Sequence, residues 1–129
     1  MTPRQAVWNH LKNDPNVSAL VGGRIYHVTP PLDTAYPVIT VNTISNIDRR
    51  DLSGVAWTET RIQVTAMAET LAEAETIALA VRASLEGFDG MMGGQLRVWD
   101  CRVVNYAPTF FEEVGMHHYA VDVMIRHKA

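Results

Sequence analysis

Trp57-Thr58-Glu59-Thr60-Arg61-Ile62-Gln63-Val64-Thr65-Ala66-Met67-Ala68 alternates without a break. Thr58, Thr60, Ile62, Val64 and Ala66 fall on one side of an extended chain, and Trp57, Glu59, Arg61, Gln63 and Thr65 on the other. A period of two is the signature of a strand with one covered face. Upstream, Val38-Ile39-Thr40-Val41-Asn42-Thr43-Ile44 is rich in β-branched residues, which suit a pleated, half-buried surface, so a strand is expected from Val38 to Ile47. The polar run Asp48-Arg49-Arg50-Asp51-Leu52-Ser53-Gly54 between them reads as the turn of a long antiparallel hairpin.

A helix follows the hairpin. Thr70 and Glu73 have the spacing of a capping box, and Leu71, Ala74, Ile77, Ala78, Val81 and Leu85 recur at three- and four-residue steps until Gly87. Such a helix reaches roughly 25 Å, about the length of the neighbouring strand, so one helix can cover one sheet face. At the other end of the chain, Thr2, Pro3 and Gln5 announce a short helix whose Val7, Trp8 and Leu11 form an apolar stripe, ended by Asp14-Pro15. From Pro15 to Pro37, twin glycines and paired prolines predict an irregular connection holding one helical turn. Gly87 to Gly94 reads as a loop, Gln95 to Tyr106 as a strand, and His117 to His127 as a final alternating strand. Neither Gly87 to Gly94 nor Thr109 to Gly115 has a pattern that can be matched to a known one. The sum is one α+β domain spanning residues 1–129: a mainly antiparallel sheet with a long β-hairpin, one main helix packed on a face and a short N-terminal helix.

Composition agrees with a single globular domain. The 129 residues are 47% hydrophobic and 19% charged, enough apolar material for a core and too little charge for disorder. The formal charge of −3 argues against a surface built to hold a polyanion. One cysteine, Cys101, cannot form an internal disulfide, and its place in a strand suits a packed thiol in a reducing compartment. No run of residues reads as a signal peptide or a membrane span, so a cytosolic protein is expected unless assembly carries it elsewhere.

No constellation for catalysis emerges, and no catalytic, cofactor-binding or metal-ligating residue is assigned. His117 and His118 are adjacent, so on a strand they point to opposite faces and cannot grip one metal together. Gly22-Gly23 and Gly93-Gly94 lack the spacing and the Lys-Ser/Thr ending of a phosphate loop. The Asp48-Arg49-Arg50-Asp51 cluster reads either as a wet loop or as an intersubunit salt-bridge patch. Met91 and Met92 either fold onto the core or wait for a partner, and Trp57 is either a core residue under the first helix or an interface anchor. For an interface, the candidate residues are Asp48, Arg49, Arg50, Asp51, Trp57, Arg61, Met91 and Met92.

Several phrases occur in a familiar order. Val17-Ser18-Ala19-Leu20-Val21-Gly22-Gly23-Arg24-Ile25-Tyr26 precedes Pro37-Val38-Ile39-Thr40-Val41, then Arg50-Asp51-Leu52-Ser53-Gly54 and Thr60-Arg61-Ile62-Gln63-Val64. Ala74-Glu75 and Val81-Arg82-Ala83-Ser84-Leu85 follow. From Val7 to Arg126 the chain resembles the tail-completion, or tail-terminator, proteins of long-tailed bacteriophages. The resemblance implies a non-enzymatic virion protein without cofactors, forming a hexameric ring on the head-proximal end of the tail tube. Its implied partners are further copies of itself, the tail tube protein and a head-tail connector protein. DNA would pass through the ring without specific binding, no membrane would be involved, and the protein would move from host cytoplasm to the virion neck. The rival readings are a head-closure, connector or minor tail protein, and a small α+β enzyme or ligand-binding dimer with a groove beside the central helix.

Overall fold

The computed structural model describes residues 1–111 and 115–128. Along the described chain run α1 (Pro3–Lys12), α2 (Pro15–Val21), β1 (Ile25–His27), β2 (Val38–Asp51) and β3 (Gly54–Ala68). Then come α3 (Leu71–Leu85), β4 (Gly90–Met92), β5 (Leu96–Phe111) and β6 (Met116–His127). The six strands form one sheet in the order β1-β2-β3-β6-β5-β4.

Four of the five strand pairings are antiparallel, but β1 runs parallel to β2 with Ile25 opposite Ile39 and His27 opposite Val41. The sheet is therefore mixed, and the departure lies in the segment read as irregular. Asp14 both follows α1 and caps α2, its side chain accepting the Asn16 N–H at 2.9 Å while Pro15 takes the first helical position. Gly22, at φ 59°, closes α2 in the left-handed conformation. The indole N–H of Trp8 then donates to the Ile25 carbonyl at 2.7 Å, tying α1 to β1.

The hairpin is longer than its charge pattern suggests. β2 continues through Asp51 and β3 starts at Gly54, so Asp48, Arg49, Arg50 and Asp51 belong to a strand and not to a loop. Cross-strand contacts explain the extension: the Thr58 hydroxyl donates to Asp48 at 2.9 Å, and Arg49 pairs with Glu59 at 3.1 Å. The turn shrinks to Leu52-Ser53, where the Ser53 N–H and hydroxyl both donate to the Asp51 carboxylate at 2.8 and 2.7 Å. Two other segments are also more regular than expected. Part of the Gly87–Gly94 loop pairs with β5 as β4, and β5 continues past Tyr106 to Phe111. Residues 112–114 of the unpatterned segment lie outside the described residues.

One face of the sheet is covered. Ile62 pairs with Val123 and Val64 with Val121, and all four are buried beneath α3 through Ala74, Ile77, Ala78, Val81 and Leu85. Ala74 and Ala78 keep the helix close to the strands, as small side chains allow. Leu71, in the first turn, stays 41% exposed and does not extend the stripe as its spacing predicts. Thr70 Oγ1 accepts the Glu73 N–H at 3.2 Å. Ala6, Val7 and Leu11 of α1 and Met92 of β4 close the same core.

Replacing Ile77 with alanine removes a fully buried side chain from the centre of this layer. The expected loss is about 3 kcal/mol, read as a lower denaturant midpoint at unchanged slope.

Candidate assembly surfaces

The alternation that buries Ile62 and Val64 turns Trp57, Glu59, Arg61, Gln63 and Thr65 to the opposite face. Register places Asp122, Met124 and Arg126 of β6 beside them, and Asp100, Arg102 and Asn105 of β5 beyond. This open face is polar and its charges are matched. Arg61 approaches one Asp122 oxygen through Nη2 at 2.6 Å and Nε at 3.2 Å, and Gln63 Nε2 donates to the other oxygen at 3.0 Å. Arg102 lies 3.6 Å from Asp100. Arg49 lies beside Glu59 and holds its carboxyl below the usual carboxylate range.

Towards the hairpin end the same face becomes aromatic. Trp57 is half-buried under Arg126, whose guanidinium carbon lies 5.9 Å from the ring centre. Trp57, Trp99, Ala56 and Arg126 line a shallow hollow of about 360 Å³, beside a broader one that includes Met91, Leu96 and Lys128. Trp57 is thus no part of the core beneath α1. Sequence reading missed Trp99 and Arg126 as its companions, because Trp99 sits where β5 slips register between Val98 and Asp100.

The candidate interface residues fall into distinct places. Asp48, Arg49, Arg50 and Asp51 occupy the exposed end of β2, Trp57 belongs to the aromatic hollow, and Arg61 belongs to the Asp122 network. Met91 is 53% exposed, whereas Met92 has no exposure, since neighbours on β4 point to opposite sides. Met92 is therefore a core residue, a correction to its place among the surface candidates.

Cys101 is fully buried, and burial, with Glu86 and Asp100 adding, pushes its thiol up to about 12. Burial also lowers the imidazole pKa values of His27 and His118. Among the described residues no three His, Cys, Asp or Glu side chains converge as metal ligands, and no helix is long and apolar enough to cross a membrane.

The chain matches the family model described as Tail completion protein gp17 over residues 5–128. A chain from the solved virion of a native gene transfer agent particle has a similar fold, with a TM-score of 0.85 at 21% identity. The likeness covers 98% of this chain and 95% of that one. No curated protein sequence matches.

Two outcomes follow from these surfaces. Arg61→Met strands a nearly buried Asp122 carboxylate and is expected to cost about 3 kcal/mol, more than Asp122→Asn, with part of the loss recovered in the double variant. Equilibrium denaturation of the three variants measures this. Native Cys101 is expected to resist iodoacetamide at pH 8 and to react once the chain unfolds, as followed by mass spectrometry.

Proposed function

The chain belongs to the tail completion protein gp17 family, and from that premise we propose that it ends the growth of a phage-type tail. Its structural role in such a tail comes with the family; the ring, its position and its partners are our reading. Six copies form a ring on the head-proximal end of the tail tube, stop addition of the tube protein and present the surface that meets the head-tail connector. The protein assembles in the host cytoplasm and ends in the neck of the particle, without catalysis and without a cofactor.

The observation that carries this reading is the family match across nearly the whole chain, joined to a fold whose conspicuous surfaces suit association. A ring needs two unlike patches on each subunit. The chain has them: the projecting β2–β3 hairpin on one side of the sheet and the exposed far half of β5 on the other. The structural neighbour, a chain of a gene transfer agent virion, fits a particle component. The −3 charge and the paired arginines of the open face give passing DNA little to hold, since phosphate retention depends on unpaired cations.

Deleting the gene and measuring tails by negative-stain electron microscopy tests the reading. Overlong tails of scattered length beside unattached heads are expected. Tails of normal length that fail to join heads would place the protein on the head side of the neck, and intact infectious particles would overturn the assignment.

A further inference from the structure

The sheet has two incomplete edges, and they are complementary. On one side β1 pairs only with Ile39, Thr40 and Val41, so beyond Val41 the outer edge of β2 has no strand beside it among the described residues. Residues 43–51 of that edge are all exposed, including Ile44 at 48% and Ile47 at 43%. On the other side β4 pairs only with Leu96, Arg97 and Val98. Gly87 and Glu86 cover the next stretch of β5, through the Gly87 N–H to the Cys101 carbonyl at 2.8 Å and the Glu86 carboxylate on the Val103 N–H at 2.6 Å. From Val104 to Thr109 β5 is exposed and, among the described residues, has no outer strand. An open strand edge is a template for pairing.

We propose that these two edges pair with each other between copies, so that the β2 edge of each subunit takes the β5 edge of the next and the sheet continues around the ring. The proposal rests on the ring reading above and assigns its subunit contact. Direction is right: β2 and β5 run opposite ways within one sheet, so two copies in the same orientation meet antiparallel. The stagger is also constrained. The free part of β2 lies at the Thr58 end of β3 and the free part of β5 at the Ala68 end, so neighbours must slide along the strands. Side chains stay on their proper faces only if the slide is an even number of residues.

Charge chooses among the even slides. A four-residue slide sets Arg49 against the neighbour's Arg102 on the open face. A six-residue slide sets Ile47 against the neighbour's Ala107 on that face. It also sets Asp48 against the neighbour's Tyr106 on the helix face, where Arg82 lies 4.3 Å over the Tyr106 ring. The Asp48 carboxylate thereby gains a cation. Six residues are about 20 Å along the strands, and the four strands that each copy adds to the continuing sheet, β2, β3, β6 and β5, are about 19 Å across, which gives a strand tilt of roughly 46°, at the steep end of the range by which sheets close. In this register β1 falls beyond Phe111, the last described residue of the neighbour's β5, and the neighbour's β4 just beyond the Leu52-Ser53 turn. The two short strands thus bound the gap that the free edges fill.

The test uses particles assembled in cells with Ile47→Cys and Ala107→Cys as the only cysteines, in a Cys101→Ala background. Mild oxidation is expected to yield disulfide-linked multimers up to a closed ring, and either single cysteine none above a dimer. Only monomers from complete particles of normal tail length would overturn the interface while leaving the tail-ending role intact. Charge exchange decides the matter if the cysteine variant fails to assemble. Asp48→Arg and Arg82→Asp are each expected to lower incorporation about tenfold, and the double variant to restore it. Incorporation unchanged by either reversal, or not recovered in the double variant, would overturn the proposal.

Discussion

The register of β3 against β6 is the constraint on which the rest of the molecule depends. These are the two innermost strands, and pairing Ile62 with Val123 and Val64 with Val121 puts these four, with Ile125, onto the side where α3 lies. A slip of one residue would send that whole set to the face that now holds Arg61, Gln63 and Asp122. Three buried polar groups would then sit beneath an apolar helix, at a cost no compensating contact could meet. The Arg61–Asp122–Gln63 cluster makes the same choice from the other side, because its hydrogen bonds form in this register alone.

That arrangement divides the labour of the chain. The covered face makes a stable subunit. The open face, the long hairpin and the sheet edges do not contribute much burial within one copy, which leaves them available for association. The two kinds of surface also differ in chemistry. The arginines of the open face have carboxylate or aromatic partners within the subunit, whereas the free edges present backbone groups and exposed β-branched side chains. Register slips near Ile44 and Val104 mark where each free edge begins.

The sequence made some of this plain and hid the rest, for physical reasons. Alternation from Trp57 to Ala68 and the helical spacing from Ala74 to Leu85 reveal the central strand and its cover, because burial on one face imposes a period. β1 has no such period. Three residues paired on one side do not repeat often enough to show it, and the glycines and prolines around them read as loop. The cluster from Asp48 to Asp51 reads as a turn because charge marks solvent exposure, and an exposed strand end is as wet as a loop. Trp57 and Arg61 announce themselves by residue type, but their partners Trp99, Arg126 and Asp122 come from strands distant in sequence, so only tertiary register brings them together. Met91 and Met92 look alike on paper, and the pleat of β4 alone separates the exposed one from the buried one.

The most direct test of the account is electron cryomicroscopy of the neck of assembled particles, with this chain located by a fused density marker. One ring of six copies is expected between the last layer of tail tube subunits and the head-tail connector. Copies distributed along the tube, or a ring at the end of the tail far from the head, would contradict it.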